Sequence, residues 1–268
     1  MKSKKIFVIK IGGEIISDPN HFNLLCKEIA KLKKENNHIV IVHGGGKQIT
    51  EMEEKLGNTP KIINGRRITD EHSIDIVKMI LGKINIEITG ALKKQGISAV
   101  GLSGVDGNIL HAERRSPKPI DYGFVGNIVS THPELVLTLI EKNFLPVVAP
   151  LASDHDGMIY NINADTVATT LALSLKATQL IILTNTEGVY DQNGIIFPYL
   201  TCQKALSLIK EGIITHGMIA KIESIHSAIK SGIQAVHLIN GFKPEKLAAI
   251  FSGKSLGTLI TKEEIYYE

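Results

Sequence analysis

The segment Ile6-Phe7-Val8-Ile9-Lys10-Ile11-Gly12-Gly13 decides the fold class of this chain. Its first six residues form an almost unbroken apolar run, which is typical of a strand buried on both faces of a parallel sheet. A second run, Ile39–Val42, is followed by His43-Gly44-Gly45-Gly46 and then by a segment with helical character. Because glycines after a buried strand favour a tight turn into a helix, the two segments predict βα units of an α/β protein.

Similar apolar runs recur along the chain and alternate with amphipathic segments of helical length. The further predicted strands are Ala99–Leu102, Leu145–Ala149, Leu180–Thr184 and Ala235–Ile239. The predicted helices are Phe22–Glu35, Gly46–Leu56, Glu71–Gln95, Pro133–Lys142, Ala164–Leu175, Cys202–Lys210, Ile219–Ser231 and Pro244–Phe251. Two more segments, Asn108–Arg115 and Tyr122–Val129, are predicted to be short antiparallel strands that cover a pocket. The alternation predicts right-handed crossovers and an open sheet with helices on both faces.

The composition excludes several classes of protein. The 268 residues carry 30 Lys and Arg against 27 Asp and Glu, so there is no basic excess of the kind that a nucleic-acid partner requires. The apolar runs are too short for a membrane span or a signal peptide. Cys26 and Cys202 lie far apart, outside any metal-ligand spacing. We therefore expect a cytoplasmic protein with no membrane partner and two reduced, half-buried cysteines.

Two glycine-rich loops are the first sign of a ligand site. Gly12-Gly13 and Gly44-Gly45-Gly46 each follow the carboxyl end of a predicted strand, where open α/β sheets bind ligands. Glycines let the backbone approach an anion closely, and the N-terminus of the following helix attracts phosphate. Either loop alone is equally well explained as a tight turn, but the pair favours anion binding. Ile49 and Ala248 occupy positions where the dinucleotide-binding and Walker motifs require glycine, so a different scheme is expected.

Two lysines are candidates for contact with that anion. Lys10 lies inside an apolar strand, where a charged side chain is costly to bury unless it meets an opposite charge. Lys221 ends the segment Gly217-Met218-Ile219-Ala220-Lys221 and lies about one turn inside a predicted helix. By itself, Lys221 is more typical of an exposed helical residue.

Several polar residues stand where predicted elements begin or end. Asn161, Asn163 and Asp165 alternate at a strand-to-helix transition, and they exceed what one helix N-cap requires. Arg67 has the geometry to bind a carboxylate with two hydrogen bonds. Asp70 is predicted to be the N-cap of the long helix that follows it.

The order of seven short segments is more specific than any one of them. They are Lys10–Gly13, His43–Gly46, Asn64-Gly65-Arg66-Arg67-Ile68-Thr69-Asp70, Gly101–Gly107, Asp121–Gly126, Tyr160–Asp165 and Gly217–Lys221. In this order the chain resembles the N-acetyl-L-glutamate kinases of the amino-acid kinase family, from about Lys5 to Ile260. The resemblance implies a three-layer αβα sandwich with a mainly parallel open sheet. It also implies that residues 1–175 bind the acylated amino acid and dimerise, and that residues 176–268 bind ATP.

The resemblance also implies a role for individual residues. Lys10 matches the family lysine that contacts the transferring phosphoryl group, Lys221 the lysine on the side of the leaving ADP, and Asp165 the aspartate that orients both. The phosphoryl-binding residues would be Gly12, Gly13, Gly44 and Gly45; the substrate-binding residues Gly45, Arg67, Asn161 and Asn163; and the nucleotide-binding residues Thr184, Asn185, Gly188, Val189, Tyr190, Gly217 and Met218.

The implied reaction transfers the γ-phosphoryl group of ATP to the γ-carboxylate of N-acetyl-L-glutamate, the second step of arginine (ornithine) biosynthesis. A carboxyl group with a reference pKa of about 4.3 is already an anion at neutral pH, so no general base is required. ATP would carry the Mg²⁺, and we expect no metal site on the protein. Three residues depart from the family pattern: Asn185 replaces a common Asp, Tyr190 a usual aliphatic residue, and Arg66 a commonly apolar one.

Oligomeric state and exact substrate are further expectations. Only Met1–Lys4 precede the first strand, too few residues for the N-terminal helix of arginine-inhibited hexameric members. We therefore expect a homodimer, joined through Glu71–Gln95 and insensitive to arginine. The nearest alternative is a kinase of N-succinylglutamate or an N-acylated aminoadipate, which would differ around the Asn108–Val129 hairpins. The Arg67 and Asn161 segments argue against carbamate, uridylate and glutamate 5-kinases, and the two lysines with Asp165 argue against a catalytically silent sensor.

Overall fold

A computed structural model describes residues 5–35, 37–215 and 217–262, so the expectation for Met1–Lys4 lies outside the described residues. The strands are β1 (Ile6–Ile11), β2 (His38–His43), β3 (Ile62–Ile63), β4 (Arg66–Arg67), β5 (Ala99–Ser103), β6 (Leu110–Arg114), β7 (Gly126–Thr131), β8 (Leu145–Ala149), β9 (Leu151–Ser153), β10 (Ile159–Asn161), β11 (Gln179–Thr184), β12 (Tyr199–Thr201), β13 (Ala235–Asn240) and β14 (Thr258–Thr261). The helices are α1 (Gly13–Ile16), α2 (Pro19–Lys34), α3 (Gly46–Lys55), α4 (Glu71–Lys94), α5 (Glu134–Glu141), α6 (Ala164–Ser174), α7 (Cys202–Lys210), α8 (Gly217–Lys230) and α9 (Lys246–Phe251).

The main sheet has eight strands in the order β12-β14-β13-β11-β1-β2-β8-β5. The six strands from β13 to β5 are parallel to one another, and β1 pairs with both β2 and β11 near the middle of the sheet. Strand β14 runs antiparallel to β13, and β12 runs parallel to β14. The prediction of a mainly parallel open sheet is therefore confirmed.

The two faces of the sheet carry separate hydrophobic cores, which makes a three-layer αβα sandwich as predicted. Phe7, Ile9 and Ile11 of β1 pack on one face, with residues of α2, α4 and α9. Val8 belongs to the opposite core, which includes residues of α6 and α8. Because successive side chains of a strand point to opposite faces, Lys10 shares the face of Val8. The alternation within β1 thus directs this lysine towards α6 and α8.

The element bounds of the sequence analysis hold to within a few residues. All eight predicted helices and all six predicted parallel strands are present. Helix α2 begins at Pro19 instead of Phe22, because the Asp18 side chain accepts hydrogen bonds from two N–H groups of its first turn and proline suits the first helical position. Asp70 is the N-cap of α4, as predicted, and accepts a hydrogen bond from Ser73 N at 2.8 Å.

The segments outside the main sheet differ more from the prediction. The two predicted antiparallel strands are β6 and β7, and they do pair antiparallel, but β7 lies later in the chain than Tyr122–Val129. Together with β9 and β10 they form a second, four-stranded sheet. The hairpin of β3 and β4, the strands β9, β10, β12 and β14, and helix α1 were not predicted.

The two cysteines and the helix lengths can also be compared with the sequence analysis. Cys26 and Cys202 are free, as predicted, but each is buried and not half-buried. Burial raises the pKa of the Cys26 thiol to about 12 and that of Cys202 to about 11. Among the described residues, no helix is both long enough and apolar enough to cross a membrane.

Candidate active site

Lys10, Asp165 and Lys221 meet at the carboxyl end of β1. Lys10 Nζ lies 2.9 Å from Asp165 Oδ1, and Lys221 Nζ lies 3.6 Å from Asp165 Oδ2. Asp165 is in the first turn of α6, where the Asn163 side chain accepts hydrogen bonds from the N–H groups of Asp165 and Thr166 at 2.9 and 3.1 Å. Strand β1, helix α6 and helix α8 therefore bring together three groups that are far apart in sequence.

The charge of Asp165 is fixed by its surroundings. Burial alone would raise the pKa of this carboxyl, which is 5% exposed. The charges of Lys10 and Lys221, with their hydrogen bonds, outweigh burial and hold the pKa below its usual value. Asp165 therefore stays ionised and would be a poor general base near neutral pH. Its position suits a residue that orients the two ammonium groups.

The two glycine loops face each other beside Lys10. The N–H groups of Gly13 and Gly46 lie in the first turns of α1 and α3, where no carbonyl of the same helix can accept them. A Cβ on Gly13 would lie 2.6 Å from Gln48 Oε1 and 3.3 Å from Gly45 Cα, so this close approach requires glycine. The N–H of Gly44 already donates to Ile11 O at 2.9 Å, so it is engaged in the sheet and not directed at a ligand.

His43 and Asn85 support the second glycine loop, and the sequence analysis assigned no role to either. His43 is fully buried, and its Nδ1 and Nε2 lie 3.1 Å from Gly44 O and 3.2 Å from Asn85 Nδ2. Burial lowers the pKa of His43 to about 4, so the ring is neutral at physiological pH. Since an amide nitrogen can only donate, Nε2 accepts and the Nδ1 proton is donated to Gly44 O.

Arg67 is held in the interior by groups that the sequence analysis did not identify. Its Nη1 donates to the buried Glu53 carboxylate, and its Nη2 donates to Gly46 O at 3.0 Å and to Thr50 Oγ1 at 2.6 Å. Glu53 lies one helical turn after buried Ile49, on the apolar face of α3. An acidic residue at such a position is the one feature of the sequence that could have indicated a buried ion pair. Arg67 thus lines the site with only part of its hydrogen-bonding capacity still free.

Two adjoining cavities meet at the lysines. A cavity of about 270 Å³ is lined by most of the predicted phosphoryl- and substrate-binding residues, namely Gly13, Gly44, Gly45, Arg67, Asn161 and Asn163, together with Lys10, Asp165 and Lys221. A second cavity of about 420 Å³ is lined by Gly12, Thr184 and Asn185, and again by Lys10, Arg67 and Lys221. The ammonium groups of Lys10 and Lys221 therefore lie between the two cavities, where they could contact a chemical group transferred from a ligand in one cavity to a ligand in the other.

The remaining nucleotide-binding candidates do not line either of these two cavities. Val189 is buried, and its N–H donates to Thr258 Oγ1 at 2.8 Å. Tyr190 OH accepts a hydrogen bond from Glu187 N at 3.3 Å, which folds the loop after β11 back on itself. A Cβ on Gly188 would lie 2.5 Å from Thr258 Oγ1. Gly217 and Met218 begin α8, one turn before Lys221.

The charges of the smaller cavity fit an anionic ligand. Four basic side chains line it, Lys10, Arg66, Arg67 and Lys221, against the carboxylate of Asp165 in the lining and that of Glu53 behind Arg67. Helix N-termini add favourable dipoles at the glycine loops. Such an arrangement can bind a carboxylate and stabilise the negative charge of a phosphoryl group in transfer. Within the described residues, no cluster of His, Cys, Asp and Glu could hold a metal ion.

Comparison with known proteins gives a consistent result. The acetylglutamate kinase of Aquifex aeolicus is 40% identical over 97% of this chain and 92% of its own length. The structure of smu.665 from Streptococcus mutans superposes with a TM-score of 0.83 at 29% identity, covering 96% of this chain and 99% of that one. The N-acetylglutamate synthase of Neisseria gonorrhoeae shares the fold, with a TM-score of 0.87 at 24% identity over 97% of this chain and 62% of that one. A model of the amino acid kinase family matches residues 5–240, and the chain belongs to this family.

Proposed function

We propose that this chain is an ATP-dependent kinase that phosphorylates the γ-carboxylate of N-acetyl-L-glutamate, giving N-acetyl-L-glutamyl 5-phosphate and ADP in the biosynthesis of arginine. The observation that carries the proposal is the bridge of Lys10, Asp165 and Lys221 between two cavities. The identity of 40% with an acetylglutamate kinase over nearly the whole chain supports the same reaction. Because the reaction consumes ATP, we propose the cytoplasm as its location.

The proposed mechanism relies on position and charge. The amino-acid substrate would occupy the smaller cavity, with its α-carboxylate near Arg67 and Asn161 and its γ-carboxylate near Lys10. The phosphates of ATP would enter from the larger cavity beside Thr184. A carboxylate nucleophile is already ionised, so the obstacle is the approach of two anions, which Lys10 and Lys221 reduce by offsetting charge on the phosphoryl oxygens.

Asp165 would keep the two lysines in register during the transfer. Both of its carboxylate oxygens face an ammonium group, so it is poorly placed to bind a cation as well. Mg²⁺ would therefore be held chiefly by the phosphates of ATP, where it would neutralise part of their charge. Among the residues of the larger cavity, Glu14 and Glu51 are the carboxylates that could approach it through water.

The two halves of the chain are proposed to bind different substrates. Residues 1–175 contribute Lys10, Arg67 and Asp165 and would bind the acylated amino acid. Residues 176–268 contribute Thr184 and Lys221 and would bind ATP. The support for this division is that Thr184 and Asn185 line only the larger of the two cavities. Residues of the first segment, among them Lys10 and Arg67, line both cavities.

A homodimer through α4 is supported by an unusual surface on that helix. Met79 and Ile86 are 60% and 72% exposed, and they are seven residues apart and therefore on one face. Gly82 and Gly90 lie on the same side, and a Cβ on either would meet nothing within 4 Å. Exposed apolar side chains separated by glycines suit close packing of two identical helices.

The test of the proposed reaction is direct trapping of its product. The enzyme is incubated with ATP, Mg²⁺, N-acetyl-L-glutamate and hydroxylamine, and the hydroxamate of the acyl phosphate is measured together with ADP. We expect equal amounts of both, and loss of both in Lys221→Ala. ADP without hydroxamate, or hydroxamate from carbamate or from free glutamate only, would refute the proposed acceptor.

A further inference from the structure

Arg66 occupies a position that the proposed reaction does not use. It is next to Arg67 on β4, and the alternation of a strand sends the two side chains in different directions. Arg67 binds Glu53 and Thr50 of α3, whereas Arg66 lines both the smaller cavity of the active site and a further cavity of about 390 Å³. Arg66 is thus the basic side chain shared by these two spaces.

A second arginine lies on the same side of the site. The Arg115 guanidinium is 5.5 Å from the centre of the Tyr122 ring, and its Nη1 donates to Asn127 Oδ1 at 3.0 Å. Asn127 lines the further cavity together with Arg66. The Tyr122 hydroxyl in turn donates to Ile63 O at 3.4 Å, and Ile63 is the partner of Arg66 in the β3–β4 hairpin.

The two arginines lack a matching negative charge. Across residues 5–35, 37–215 and 217–262, no carboxylate oxygen lies within 4.0 Å of either guanidinium, whereas Arg114 next to them pairs with Asp121 at 3.1 Å. Burial and the charge of Arg115 both lower the pKa of Arg66, while Tyr122 and Glu223 raise it in part. Two like charges at a half-buried position are costly unless an anion offsets them. Glu223 lines the further cavity, and its charge offsets that of Arg66 only in part.

The position of Arg66 indicates which part of the substrates could carry the anion that it binds. The phosphates of ATP are expected beyond the two lysines, in the cavity lined by Thr184, which Arg66 does not line. The α-carboxylate of the substrate already has Arg67 and Asn161 as candidate partners. An acyl group that extends from the smaller cavity past Arg66 would enter the further cavity, which has room for several additional atoms.

We propose that Arg66, with Arg115 beside it, is a second carboxylate-binding position, and that the enzyme therefore binds acylated glutamates whose acyl group ends in a carboxylate, such as N-succinyl-L-glutamate. This inference rests on the proposed function, because it concerns the acyl end of the same substrate. It requires no change in the phosphoryl transfer itself. Relative to acetyl, a succinyl group adds one methylene and one carboxylate, and that carboxylate would meet the Arg66 guanidinium.

The test measures binding without turnover. Calorimetric titration compares N-succinyl-L-glutamate with N-butanoyl-L-glutamate, which has the same number of acyl carbons and no terminal charge, and with N-acetyl-L-glutamate. A hydrogen bond to a charged group corresponds to about tenfold or more in affinity, so we expect at least this preference for succinyl over butanoyl. Arg66→Leu should abolish the preference, and Arg66→Lys should retain part of it. The matched control, Arg114→Leu, removes a neighbouring arginine that already has an acidic partner and should leave the preference intact.

The binding experiment tests the second carboxylate position, and it can fail without affecting the proposed kinase reaction. Equal affinity for the succinyl and butanoyl compounds in the unmodified enzyme would overturn the second carboxylate position. So would an equal loss for all three ligands in Arg66→Leu, because Arg66 would then serve the shared part of the substrate or the local fold. Hydroxamate trapping with the same compounds tests the kinase reaction alone. A charge-dependent preference without any acyl phosphate would leave the binding position standing and refute the proposed function.

Discussion

Replacing Glu53 with Gln should expose how Arg67 is held in place. The substitution keeps the size of the side chain and removes its charge, which leaves the guanidinium of Arg67 buried beside a neutral partner. The two side chains are 2% and 7% exposed, so water cannot replace the lost charge. Removing one partner of a buried ion pair costs about 3–5 kcal/mol in the free energy of unfolding.

We expect the lower end of that range for Glu53→Gln. Arg67 keeps its hydrogen bonds to Gly46 O and Thr50 Oγ1, and the Gln oxygen can still accept one from Nη1. A loss of about 3 kcal/mol corresponds to a fall of roughly 6 °C in the melting temperature of a chain of this size. The same change should raise KM for the acylated amino acid more than KM for ATP, because Arg67 lines both cavities but its proposed ligand is the α-carboxylate of the amino acid.

Urea denaturation and differential scanning calorimetry at pH 7 measure the stability, and initial rates with each substrate varied measure the KM values. The matched control is Glu54→Gln, which makes the same change at an exposed neighbour on α3 and should alter stability by less than about 0.5 kcal/mol. Adding Arg67→Met to Glu53→Gln removes the unpaired charge and should recover part of the lost stability. If Glu53→Gln is as stable as Glu54→Gln, or if the double variant is less stable than the single one, the buried ion pair does not have the role assigned to it.

Three further predictions concern the transfer site, the glycine loop and the dimer. Lys10→Ala and Lys221→Ala should each lower kcat by at least about 10²-fold, as for loss of one transition-state donor, and near-normal turnover in both would refute the two-lysine model. Because burial lowers the pKa of His43 to about 4, the unfolded chain binds a proton at this residue below pH 6.5 that the folded chain does not, so His43 should contribute roughly 3 kcal/mol to a loss of stability between pH 6.5 and 4. His237, whose pKa burial also lowers to about 4, should contribute a similar amount. Urea denaturation of His43→Gln should show a weaker pH dependence, and an unchanged slope would contradict this. Changing Met79 and Ile86 to Lys should convert a dimer into a monomer in light scattering, and an unaltered mass would exclude the α4 surface.

Strands of the central sheet could be predicted because their chemistry is uniform along each segment. Most residues of β1, β2, β8, β11 and β13 are apolar on both faces, as helices on both sides of the sheet require. The two-residue strands β3 and β4 carry no such pattern, because they are held by one hairpin and by contacts with distant segments. Strand β14 is apolar at only two of four positions, and its pairing with β13 depends on tertiary structure.

Some residues of the candidate site could likewise be identified from the sequence, whereas contacts between distant segments could not. Lys10 could be recognised because a lysine in an apolar strand needs a partner, and Asn163 because a polar residue before a helix is suited to capping. Glu53 could not be identified as the partner of Arg67, since the two lie 14 residues apart on different elements, helix α3 and strand β4. The contact between His43 and Asn85 spans 42 residues and joins a strand to a helix, so no local spacing predicts it.

The adjacent arginines Arg66 and Arg67 mark the limit of what a motif can establish. Both stand in one short segment of sequence, yet Arg67 is paired with the buried Glu53 carboxylate, whereas Arg66 lines two cavities. The difference arises because β4 pairs with β3 and so presents successive side chains to different surroundings, α3 on one side and the cavity beside Asn127 on the other. An arginine such as Arg67, which is paired with a carboxylate of the protein, can position a substrate without binding a further anion. Arg66 lines two cavities and has no salt bridge among the described residues, and this is why Arg66, and not Arg67, is proposed to respond to the charge of the acyl group.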